Sequence, residues 1–217
     1  MANIFSKKSN LISFKILIAF SITMIAIIIG FTYYATPKYT RVGYQPIQPV
    51  AFDHNLHVGQ IGIDCRYCHN YVENSSHSNI PAASTCMNCH NQIKQDSSSL
   101  TPIRTSYESG NPVPWVRVHK LPDYVYFNHS AHVNRGVSCI DCHGAVNEME
   151  VIMEVKSLSM DFCLNCHRNP EKFVRPIEHV YDLDWKFEDL TTQIVVGQQI
   201  VNEWNINPPQ SCSGCHR

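Results

Sequence analysis

Five copies of one short motif, C-x-x-C-H, punctuate this chain and restrict its fold more than anything else in it. In chain order, as motifs 1 to 5, they pair Cys65 and Cys68 with His69, Cys86 and Cys89 with His90, Cys139 and Cys142 with His143, Cys163 and Cys166 with His167, and Cys212 and Cys215 with His216. This pattern is the attachment signature of c-type haem. Two cysteines three positions apart share one helical turn, so each can form a thioether to a different vinyl group of one porphyrin. The histidine that follows is then the proximal ligand of the iron. The chain has 10 cysteines, all within the motifs, so none is left for a disulfide or a free thiol.

Pairs of C-x-x-C also build zinc ribbons, which take them two by two. An odd number of pairs does not divide that way, and zinc gives no reason for a histidine after every second cysteine. The expectation is therefore a multihaem cytochrome c with five covalently attached c-type haems. A chain of 217 residues cannot wrap so many macrocycles in an ordinary side-chain core. The haems themselves must form most of the core, surrounded by short helices and irregular loops with little sheet.

From Ile16 to Ala35 no residue is charged, and the run includes Ile25-Ala26-Ile27-Ile28-Ile29. About 20 such residues cross the hydrocarbon of a bilayer as a helix. The competing reading is a cleaved signal peptide, whose apolar region is shorter and ends at a small-x-small site. Here the run ends in Phe31-Thr32-Tyr33-Tyr34, with tyrosines of the kind that sit at membrane interfaces. The expected layout is a cytoplasmic N-terminus (1–15), a transmembrane anchor (16–36), a tether containing Pro37, Pro46 and Pro49 (37–50), and a haem domain (51–217). Lys7, Lys8 and Lys15 before the span against Lys38 and Arg41 after it give only a slight charge bias. Haem chemistry orients the span better, because c-type attachment belongs to the outer side of the bacterial cytoplasmic membrane. A single span with the haem domain on the periplasmic face is expected. The formal net charge of −1 gives no sign of nucleic-acid binding.

An internal repeat is visible. Phe52-Asp53-His54-Asn55-Leu56-His57-Val58 precedes motifs 1 and 2, and Phe127-Asn128-His129-Ser130-Ala131-His132-Val133 precedes motifs 3 and 4. Each half reads F-x-H-x-x-H-V, then C-x-x-C-H, then C-[ML]-N-C-H. The architecture expected is a duplicated dihaem unit plus a fifth haem. The Ser-, Pro- and Thr-rich stretch from Asp96 to Pro114 reads as a surface loop. The cysteine-free segment from Asp182 to Trp204 fits either a helix on a haem or a partner-binding arm.

Each iron needs a sixth ligand from outside the motifs. Histidines three apart project from one side of a helical turn, where each can serve a different neighbouring iron. Their repetition in both halves marks His54, His57, His129 and His132 as distal ligands. For the remaining iron Met160 is favoured, with His119 competing and Met149 and His179 behind. A methionine there would raise that haem's potential above those of bis-histidine haems.

The tract from Phe52 to Cys89, the segment from Trp115 to His129 (W-x-R-V-x-x-L-P-x-x-V-x-F-x-H) and the C-terminal Cys212-Ser213-Gly214-Cys215-His216-Arg217 together resemble the pentahaem cytochrome c subunit of alternative complex III. The resemblance covers nearly the whole chain. It implies a non-catalytic electron-transfer subunit of a bacterial respiratory complex. Its partners would be a multi-span quinol-oxidising subunit, an iron–sulfur subunit, and a monohaem cytochrome c or terminal oxidase. Two rivals follow from the residues alone. A self-contained membrane-anchored quinol dehydrogenase would place a haem motif close behind the span, and Cys65 lies well beyond it. A small-anion reductase needs an iron with an open distal face.

Overall fold

The computed structural model describes residues 9–36 and 41–216. They fall into two compact units, Met1–Arg41 and Val42–Arg217, taken here one at a time. Lys7, Lys8, Pro37 and Lys38 lie outside the described residues.

The first unit is one helix, α1 (Asn10–Ala35). Its 26 residues extend about 39 Å at 1.5 Å each, and the stretch Leu11–Ala35 is long and apolar enough to cross a membrane. The helix begins before the uncharged run and takes Lys15 into its first turns. Two of its polar side chains bond back to the helix. Thr23 Oγ1 donates to Ala19 O at 2.9 Å and Thr32 Oγ1 to Ile28 O at 2.8 Å, as an apolar solvent demands.

The second unit is helical and irregular. Its helices are α2 (Cys65–Cys68), α3 (Ala83–His90), α4 (Thr101–Ser109), α5 (His129–Val133), α6 (Cys139–His143), α7 (Met160–Arg168), α8 (Leu190–Glu203) and α9 (Cys212–Cys215). A π-helical turn spans Asn55–Gln60. Among the described residues there is no strand, only the isolated antiparallel bridges Val125–His216 and Val137–Val174.

Residues 42–50 are extended but fastened. Gly43 N donates to Glu154 O (2.7 Å), Glu154 N to Tyr44 O (3.0 Å), and the Gln48 side chain both donates to and accepts from the Val116 backbone. Val50 is buried with Ala83 and Ile103, against Trp115 and Met87. A second small cluster joins Val72, Val133 and Val180.

Two segments differ from the sequence reading or complete it. The stretch read as a surface loop contains α4. Pro102 is preorganised for a first turn, Gly110 closes the helix in the left-handed conformation at φ 73°, and the face carrying Ile103 and Ser106 is buried. Serine-rich composition masked those start and stop signals. The 182–204 segment becomes α8, laid on the Pro170–Lys172 turn after motif 4. Gly197 allows this close approach, since a β-carbon there would stand 2.0 Å from Glu171 O.

Ser138, only 2% exposed, ties the motif-3 helix to this framework. Its hydroxyl donates to Val180 O at 2.7 Å and completes a capping box with Asp141 at the start of α6. Ser138→Ala removes the cap and leaves a buried carbonyl unmet, so the domain should lose about 2 kcal/mol. A urea-unfolding midpoint unchanged from the parent would count against that role.

Candidate haem sites

All five cysteine pairs are presented in the same way: α2, the end of α3, α6, the end of α7 and α9 each carry one pair on one turn. All ten thiols are free. Among the described residues, no group of three or more His, Cys, Asp or Glu is arranged to hold a bare metal ion, so the pairs are not gathered as a zinc ribbon would gather them. Burial pushes the thiols of motif 3 up, Cys139 and Cys142 each to about 12. They are the most enclosed of the five pairs, and thioethers, which carry no charge, suit that environment.

The histidines are held in a common manner. Nδ1 of His57 faces Asp53 O (2.7 Å), His69 faces Asn79 O (2.6 Å), His90 faces Ile93 O (3.0 Å), and His129 faces Ser76 O (2.8 Å). His132 faces Asn128 O (2.7 Å), His167 faces Pro209 O (2.6 Å), and His216 faces Tyr124 O (3.3 Å). A carbonyl only accepts, so each Nδ1 carries the proton and Nε2 keeps its lone pair for a metal. His143 differs: its Nδ1 meets Nε2 of His119 at 3.3 Å. His54 differs too, with Nδ1 buried and without a hydrogen-bond partner. Burial drives the pKa of His143 down to about 3 and that of His54 to about 4, keeping both imidazoles neutral, as iron ligation requires.

Ring positions test whether a haem iron fits between these side chains. Two imidazoles on opposite faces of one iron, each bound at about 2 Å as for other first-row metals, have centroids about 6 Å apart. His57 and His90 stand at 6.2 Å, His132 and His167 at 6.1 Å, and His129 and His143 at 6.5 Å with planes within 6° of parallel. Three motif histidines thus each face one histidine of an H-x-x-H pair at the separation an iron needs. His54 lies near His69, which depresses its pKa after burial. These residues fit c-type haem.

The two H-x-x-H segments share one construction. Phe52 stacks on His57 (4.4 Å) and meets His54 edge-on (4.7 Å), and Phe127 packs tilted against His132 (4.4 Å) and meets His129 edge-on (4.8 Å). The residue after each phenylalanine has two tasks that sequence reasoning missed. Asp53 accepts from Leu56 N (2.9 Å) and Asn128 from Ala131 N (3.4 Å), while their carbonyls hold His57 and His132. The signal was present, since Asp and Asn are preferred helix N-caps.

The candidates for the last iron separate. Met160 opens α7 with an exposed side chain. His119 is against His143. His179 is stacked on Trp185 at 4.4 Å, and Met149 lies beside Gly144.

The chain matches the family described as cytochrome c7 and related cytochrome c over residues 50–105 and 125–217. It is also 31% identical over 100 residues to the menaquinone reductase multiheme cytochrome c subunit of Nitratidesulfovibrio vulgaris, an alignment covering 46% of this chain and 47% of that protein. The chain thus spans about half the length of this curated relative. With free cysteine pairs on single turns, histidines tautomerically fixed for metal binding, and a family match over more than half its length, the chain belongs to the cytochrome c7 and related multihaem cytochromes c, which bind haem covalently.

Proposed function

We propose that this chain carries five c-type haems and conducts electrons between a quinone-reactive membrane module and a soluble or membrane-bound acceptor. In this reading it is the pentahaem subunit of a complex of the alternative complex III kind. Motifs 1 to 5 supply the thioethers and proximal ligands, and the distal ligands are His54, His57, His129 and His132 for motifs 1, 2, 3 and 4. Met160 serves motif 5. Helix α1 is the membrane anchor and the haem domain lies on the periplasmic side. The repeated F-x-H-x-x-H-V segment is a duplicated dihaem unit.

The observation that carries this reading is the pairing of motif histidines with H-x-x-H histidines at iron-spanning separation. Irons with two protein ligands have no position left for a substrate, which favours one-electron transfer over chemistry at an open metal. The haem supplies the redox centre. The residues fix its axial ligands, and the backbone carbonyls on Nδ1 raise ligand basicity. The name of the relative favours a second reading, in which electrons run towards menaquinone rather than away from quinol.

The test is native purification from detergent-solubilised membranes, with identification of everything that comigrates. A multi-span quinone-binding subunit and an iron–sulfur protein in fixed ratio, with haem reduction on adding quinol, support the first reading. Reduction of menaquinone by pre-reduced haems, without the reverse, supports the second. Isolation of this chain alone with quinol or anion turnover of its own would refute both.

A further inference from the structure

We propose that the chain strings its five attachment motifs in one unbranched row whose order is 2–1–3–4–5, with motifs 2 and 5 as its ends. The proposal deepens the electron-transfer reading above and rests on it. The order differs from the order along the sequence, and each join is made by different residues.

Motifs 2 and 1 meet through the first H-x-x-H turn. His57 faces His90 at 6.2 Å, and His54, three residues earlier, lies near His69. Asn88, inside motif 2, donates to the hydroxyl of Tyr67, inside motif 1, at 3.0 Å.

Motifs 1 and 3 meet where the second half of the chain lies on the loop following motif 1. His129 N and Nδ1 both bond Ser76 O, and Ser130 N bonds Ser75 O at 3.1 Å. The His129 ring faces His143 of motif 3.

Helix α5 makes the third join. His129 serves motif 3, and His132, one turn on, faces His167 of motif 4 at 6.1 Å. Motifs 4 and 5 meet through the approach to α9. His167 donates to Pro209 O (2.6 Å) and Gln210 donates back to His167 O (3.2 Å), just before Cys212. Among the described residues, no hydrogen bond or ring contact runs from motif 2 to motif 3, 4 or 5. Motif 5 touches the Tyr124–Tyr126 stretch leading to α5, and the residues just before it, Pro209 and Gln210, bond His167 of motif 4.

The test uses the intact, haem-loaded chain in detergent, without partners. Replacing a distal histidine by methionine raises that haem's potential, so it is in a different charge state while its neighbours titrate. Coulomb interaction then shifts the neighbours, most strongly the nearest. In titrations resolved haem by haem by EPR, His57→Met should shift one haem besides its own, and His129→Met should shift two. Two or more shifted haems for His57→Met, or only one for His129→Met, overturns the order. Should a variant fail to load its haems, the iron positions in a structure of the unaltered haem-loaded chain decide. Neighbouring irons in the order 2–1–3–4–5 uphold the proposal, and any other order ends it. Neither readout involves quinol or a partner, so the row can fail while the electron-transfer reading stands, and the reverse.

Discussion

His132→Ala should convert one haem of the loaded protein, that of motif 4, from low-spin six-coordinate to high-spin five-coordinate iron. The reason is geometric. The His132 ring stands 6.1 Å from that of His167, its proton is committed to Asn128 O at 2.7 Å, and Phe127 packs tilted against it at 4.4 Å. Among the described residues, the His132 ring is the one in ring contact with His167. The ferrous variant should therefore bind one carbon monoxide per chain where the parent binds none. Added imidazole should restore the low-spin spectrum, because the alanine leaves a cavity of ring size. That rescue separates loss of a ligand from general loosening, which imidazole would not repair. A variant that stays wholly low-spin would remove His132 from the ligand set and, by the equivalence of the two segments, put His57 in doubt.

Gly136→Ala should be nearly as damaging, for a reason unrelated to haem. The residue has φ +82°, and a β-carbon there would stand 2.4 Å from Arg175 O. Main chain opposes it, and that main chain cannot swing away: Arg175 N donates to Gly136 O at 2.9 Å, Val137 bridges Val174, and the Arg175 guanidinium donates to Asp182 O and Trp185 O. Left-handed strain of about 1 kcal/mol adds to overpacking of about 2 kcal/mol, for a loss of about 3 kcal/mol. Gly110→Ala is the natural comparison, with φ +73° but open space around it. It should cost about 1 kcal/mol. Urea-unfolding midpoints give both values, and equal losses at the two glycines would show that the Arg175 contact carries no weight.

The parts of this molecule legible in its sequence are those where chemistry dictates residue identity. Thioether formation needs Cys at fixed spacing, so the sequence predicts each cysteine pair on one helical turn, and the structure has each pair there. An apolar span needs uninterrupted apolar residues, so α1 was visible, though its start at Asn10 was not, because a helix can take in Lys15 without breaking. What stayed hidden depends on backbone or on distance. The partners of His129 and His167, Ser76 O and Pro209 O, lie 53 and 42 positions away, and a carbonyl is the same whatever residue bears it. Helix α4 was masked by composition, although Pro102 and Gly110 announced it. His119 was weighed as an iron ligand, while its place beside Nδ1 of His143 came only with the fold.

That last contrast has a genetic consequence. At His57, His69, His90, His129, His132, His167 and His216 the group holding the ring's proton is main chain, and no codon specifies it. Point mutation cannot delete such an acceptor. It can only displace the loop that presents it, so the electronic character of those seven imidazoles is largely sheltered from substitution. His143 alone among the motif histidines has its Nδ1 paired with a side chain, the Nε2 of His119. In the proposed arrangement, natural variants of this protein that differ at residue 119 are therefore where selection could retune the motif-3 haem while leaving the others untouched.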